Sequence, residues 1–200
     1  MPSAVKGFVR MVDAINYRLG RFAMYLIFAM MAILLWSSIS KTFFLPSLWT
    51  LEMAQFAMVA YYLLGGPYSM QGKDDAHVRM DLFYGSWSPK TKAAVDAVIV
   101  FFLIFYLGVL LYGGIDSAAY SLGHFKGEPF TFFKDLVVTF FTEGGEAAGK
   151  ALGYLERSNT AWRPWMWPIK LTMCIGIFLM ILQALAEFFR DIARIRGEAL

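Results

Sequence analysis

Three stretches of nineteen residues, Phe22 to Ser40, Met53 to Gln71 and Ala97 to Ile115, carry no charged side chain, and a fourth, Ile169 to Ala186, carries only Lys170. A nineteen-residue helix rises about 30 Å, the thickness of a bilayer's hydrocarbon core. Four such runs make the chain an integral membrane protein. The composition agrees: 58% hydrophobic residues, a mean hydropathy of +0.54, 19 Phe, 6 Trp and 12 Met are too apolar for an ordinary soluble domain. The expected fold is all-α, one membrane domain over residues 1–200, with spans at about 22–41, 50–70, 93–117 and 165–188. An N-terminal amphipathic interfacial helix precedes them, a hub at 71–92 separates spans 2 and 3, and a long helical loop at 118–164 separates spans 3 and 4.

Before the first run, Phe8, Val12, Ile15 and Leu19 recur at steps of four, three and four, with Lys6, Arg10, Asp13 and Arg18 elsewhere around the turn. That spacing predicts a helix lying in the membrane interface. The first run exceeds the apolar core of a signal peptide, about 7 to 15 residues, and Ser38-Ile-Ser40 is a poor cleavage site. Glu52 stands at the mouth of the second run with Gln55 three residues on, so both are expected on one side of that helix. Ser88 and Pro89 have the chemistry of an N-cap and a first helical position. Asp96 and Asp116 bracket the third run and belong at opposite headgroup layers rather than in a buried proton relay. Between Ser121 and Arg163 two short helices are expected, one around Phe133, Leu136, Val137, Phe140 and Phe141, the other around Ala147, Ala151, Leu152 and Leu155, broken at Gly144-Gly145. Trp162, Trp165 and Trp167 then form an aromatic cluster suited to a membrane interface.

The N-terminal segment, the hub and the tail after Ala186 hold eleven of the 18 basic residues, whereas the long loop balances five basic against five acidic side chains. By the positive-inside rule both termini and the hub are cytoplasmic and the loop lies outside. The net charge of +3 therefore suggests headgroups rather than nucleic acid. Cys174, the one cysteine, supports neither a disulfide framework nor a cysteine metal site within one chain. His77 and His124 flank the third run on opposite faces and cannot share a haem or metal ion. Phosphate-binding loops, dinucleotide fingerprints and hydrolase motifs are missing, so no catalytic residue, cofactor or metal site is expected. A stand-alone carrier, a homo-oligomer of four-helix chains, is the competing class. Such carriers are expected to place charges, broken helices or inverted repeats near the midplane, and these runs do not.

The hub's His77-Val78-Arg79-Met80-Asp81-Leu82, the stretch Asn159 to Lys170 (NTAWRPWMWPIK), and Gly176 with Gln183-Ala184-Leu185 resemble the small membrane subunit, DctQ-like, of tripartite ATP-independent periplasmic (TRAP) transporters. The long outer loop departs from the smaller members and looks like versions that accompany transporters for keto acids, other monocarboxylates or aromatic acids. The resemblance implies a non-catalytic scaffold in the bacterial inner membrane. It would brace a large multispan subunit that moves as an elevator in sodium-coupled uptake, with solute delivered by a periplasmic substrate-binding protein and membrane lipids as the remaining contacts. On this resemblance Glu52, Gln55, His77, Arg79, Asp81 and Gln183 are candidates for the interface with the large subunit. Trp162, Trp165, Trp167, Lys170, Phe132 and Phe133 are candidates for membrane anchors and a platform for the binding protein.

Overall fold

The computed structural model describes residues 2–71 and 86–198. Among these the chain is helical: α1 (Ser3–Ala23), α2 (Leu26–Phe43), α3 (Thr50–Ser69), α4 (Pro89–Ser121), α5 (Pro129–Thr142), α6 (Gly145–Lys150) and α7 (Trp167–Arg196). Helices are what the apolar runs require, because a bilayer offers no water to backbone amides and each helix satisfies them internally. Ser3–Phe43, Lys90–Ser121 and Trp167–Arg196 are long and apolar enough to cross a membrane. The expected second span falls short of that hydropathy. At 20 residues α3 has the length, about 30 Å, but Glu52, Gln55 and three tyrosines dilute it.

No loop separates α1 from α2. Met24 and Tyr25 keep helical dihedrals, and the Tyr25 amide bonds to the Phe22 carbonyl at 3.0 Å, an i to i−3 contact that tightens a single turn. Ser3–Phe43 is therefore a continuous helical stretch of 41 residues, interrupted only by the turn at Met24 and Tyr25. Its first half packs across α3 and α7. The face it buries is turned away from the expected stripe: Val12 goes inside with Val9, Asp13, Asn16 and Gly20, Phe8 and Leu19 lie at the edge, and Ile15 is exposed. The reason is a set of polar partners on α7, described below.

The long helices form a row in the order α2, α3, α7, α4, in which α3 touches α2 and α7, and α4 lies against α7. Small residues set the spacing. A Cβ on Gly176 of α7 would stand 2.7 Å from the Leu63 carbonyl oxygen, so α3 and α7 meet at backbone distance. A Cβ on Gly20 would collide with the Tyr68 side chain, and α1 approaches α3 just as closely.

Ser88 caps α4 as its chemistry suggests, its Oγ accepting the Thr91 amide at 3.2 Å with Pro89 at the first helical position. Beyond α4 the chain makes a hairpin of α5 and α6, turning at Gly144 with φ +89°. The second helix ends at Lys150 rather than reaching Leu155. There the backbone returns to α4 instead: the Gly153 amide donates to the Leu122 carbonyl and the Glu156 amide to the Ser121 carbonyl, both at 3.0 Å.

Candidate functional site

Among the described residues, the densest polar chemistry lies where α1 packs on α3 and α7. Asp13 and Asn16, three apart on α1, share a face. Gln183, Glu187 and Arg190 repeat at steps of four and three on α7. The two stripes meet. The Asn16 amide donates to Gln183 Oε1 at 2.8 Å, and Gln183 Nε2 donates to Glu187 Oε1 at 3.0 Å and to Asp13 Oδ1 at 3.3 Å. The Arg190 guanidinium donates to both carboxylates, one nitrogen to Asp13 and the other to Glu187. From the end of α3, Gln71 Nε2 donates to the Asp13 carbonyl at 2.9 Å, so three helices share one network. Val9, Val12 and Ala186 pack beside it with Phe8 and Phe189 edge-on. Gln183 and Asn16 are inaccessible to solvent. Asn16 Oδ1 alone in that group has no hydrogen-bond partner among the described residues.

Such a cluster fixes register. Two carboxylates on one guanidinium are satisfied only when α1 and α7 stand at this height and rotation, whereas an apolar contact tolerates sliding. Gln183 accordingly has both ends of its amide engaged within this chain. Asp13, Asn16, Glu187 and Arg190 were not singled out by sequence reasoning, although the i, i+4, i+7 polar stripe through an otherwise apolar α7 is the signal that marks them.

At the opposite end of α3, Glu52 sits in its first turn, buried, where the helix dipole favours a carboxylate. Its Oε1 accepts the Ser158 hydroxyl at 3.1 Å, and its Oε2 has no partner among the described residues. Gln55, expected on the same side, is exposed; a three-residue step turns the helix through about 300°, enough to separate a buried position from a bare one. Nearby, Ser37, Ser40, Ser47 and Thr50 join hydroxyls across the α2–α3 turn at 3.0 to 3.3 Å.

Lys170 turns inward. Its ammonium donates to Glu156 and to the Ser117 carbonyl at 3.2 Å, with the Tyr120 ring 5.8 Å away, tying α7 to α4 and the returning loop. Trp162 and Trp165 are exposed and Trp167 opens α7; the Arg157 guanidinium stands 5.6 Å from the Trp165 ring. Phe132 and Phe133 are half-buried, Phe132 stacked on His124 at 4.5 Å, so the bare aromatic surface of α5 belongs to Phe130, Phe140 and Phe141 instead. His124 Nε2 bonds the Gly127 carbonyl at 2.7 Å. Among the described residues no three His, Cys, Asp or Glu side chains gather as metal ligands. His77, Arg79 and Asp81 lie outside the described residues.

Compared with known families, residues 30–134 match the model described as "Tripartite ATP-independent periplasmic transporters, DctQ component". The matched stretch runs from within α2 to within α5 and includes the hub, but not α7. No curated protein and no solved structure matches the chain.

Proposed function

The chain belongs to the DctQ component family of the tripartite ATP-independent periplasmic transporters, and from that membership we propose that it scaffolds a large permease subunit in sodium-coupled uptake of organic acids. As the small permease component it is a multi-pass protein of the inner membrane and part of a transporter. The observation that carries the scaffold reading is the single row of helices. A closed bundle hides its apolar faces inside itself, whereas a row leaves them outward, as on α2 and α4, where Phe28, Leu35, Phe101, Phe102 and Phe105 are well exposed. Such a wall is stable when lipid covers one side and a second membrane protein covers the other.

In this reading α3 is the fourth crossing helix, carried through the bilayer by its neighbours α2 and α7. Both termini and the hub face the cytoplasm, and the α5–α6 hairpin faces the periplasm. Arg79, Asp81 and His77 in the hub, with exposed Gln55, meet the large subunit. The Asp13–Arg190 network and the Glu52–Ser158 contact hold the wall in the shape that the large subunit recognises. The sodium sites, the solute site and the moving part belong to the large subunit, while the binding protein docks from the periplasmic end near Trp162 and Trp165.

The test is gentle extraction of the tagged protein from its own membranes and identification of what co-purifies. A stoichiometric partner with about a dozen spans is the expected result. Recovery of a homo-oligomer that exchanges solutes on its own in liposomes would replace this reading with the stand-alone carrier.

A further inference from the structure

The α5 helix has two unlike sides. At 100° per residue, Phe130, Val137 and Phe141 fall within about 40° of one another, with Phe140 beside them, and all four are more than half exposed. Thr131, Asp135, Thr139 and Thr142 occupy the opposite arc. Asp135 and Thr139 there help to line a concavity of about 310 Å³ with His124, Lys126 and Glu128. On the apolar side, Val137, Phe140 and Phe141 run into a groove of about 340 Å³ closed by Ala148 and Leu152.

One contact gives this helix a depth. Phe130, which leads the apolar stripe, packs on Tyr112 of α4 with ring centroids 5.9 Å apart. Tyr112 lies nine residues before the end of α4, about 13 Å below it along the axis, and inside the uncharged run Ala97 to Ile115. The first turn of α5 therefore sits at a level that α4 itself presents to hydrocarbon, on a face of α4 where Val109 and Tyr112 are bare. Val137 and Phe141 share the arc of α5 that Phe130 turns toward that face. Lys134 stands at the border between the two arcs, next to Phe141 around the helix, where a lysine reaches the phosphate layer while its stem stays in contact with acyl chains.

We propose that α5 is an in-plane membrane helix, burying the Phe130, Val137, Phe140 and Phe141 stripe among the lipid acyl chains of the leaflet at the C-terminal end of α4. On the topology above that leaflet is the periplasmic one, whereas the contact of Phe130 with Tyr112 is the same whichever side α4 ends on and whichever partner subunit is present. Lipid is the occupant because the stripe continues the lipid-level surface of α4 and carries no charge of its own. The polar arc, with the Lys126 and Glu128 loop, is then what the hairpin turns to water.

Single spin labels introduced as Val137→Cys, Phe141→Cys, Asp135→Cys and Thr142→Cys, in a Cys174→Ala background, test this in the complex as purified and placed in nanodiscs of phosphatidylethanolamine and phosphatidylglycerol. The expected result is an oxygen-to-nickel-chelate accessibility ratio several-fold higher at 137 and 141 than at 135 and 142. Phe141 is 81% exposed, so the label displaces no packed neighbour. Equal access of the nickel chelate to positions 141 and 135 would overturn the proposal in favour of a helix standing in water. Exclusion of both reagents at 141 would overturn it in favour of a protein occupant. Co-purification yield of each labelled protein, measured separately, reports on the transporter reading independently of either result.

Discussion

At the residue scale, the Arg190 guanidinium decides whether Asp13 and Glu187 can stay inside. Arg190→Ala is expected to destabilise the chain by about 3–5 kcal/mol, the range for breaking a buried ion pair from one side. Arg190→Ala with Asp13→Asn should recover part of that loss, because one of the two carboxylates is then neutral. Thermal unfolding in detergent of the single and double variants checks both, and equal stability of Arg190→Ala and the unaltered protein would mean that the network contributes nothing. Glu52 offers a milder case. Ser158→Ala removes a hydrogen bond to a buried carboxylate and should cost about 1–3 kcal/mol, read as a lowered midpoint, while Gln55→Ala on the exposed neighbour should leave the midpoint unchanged. Asp13 shows why these groups were hard to see beforehand. In the sequence it is one charge in a mixed amphipathic segment, and only the partner 177 residues away makes burying it favourable.

At the element scale, the apolar runs revealed the long helices and the Ser88-Pro89 cap because length, hydropathy and capping are local properties. Which face each helix buries is not local. On α1 the regular Phe8, Val12, Ile15, Leu19 spacing pointed to one face, yet the buried face is rotated from it, keeping Val12 and adding Val9, Asp13 and Asn16 while Ile15 is bare, since a lipid-facing stripe and a protein-facing stripe look alike in an alternation of apolar residues. Glycine notches are similarly silent until two helices meet at them. Gly176→Val should push α3 from α7, at a cost of about 1–3 kcal/mol, and lower the yield of folded protein; Gly108→Val, where an added Cβ meets open space, is the matched control. If both variants accumulate and unfold alike, the α3–α7 contact is looser than the Leu63–Gly176 distance indicates.

At the scale of the whole molecule, the proposed scaffold role predicts that the row influences how much and how fast, not what. Variants in the row should lower complex yield or turnover and leave the ratio of uptake between competing solutes unchanged; competition assays on intact cells measure this, and a reproducible switch in preference would place part of the solute site here. The hairpin invites the reverse experiment. The chain departs from the row at Gly123 and rejoins it at Gly153, where a Cβ on either glycine would stand 2.5 Å from the other's backbone. Two ends that already touch make the α5–α6 segment a detachable module: its length can change, or the whole piece can be exchanged, while the two helices it joins feel no difference in the distance to be bridged. A change in the size of this loop then needs no compensating change in the long helices, and a new accessory can be grafted at that seam without redesigning the wall beneath it.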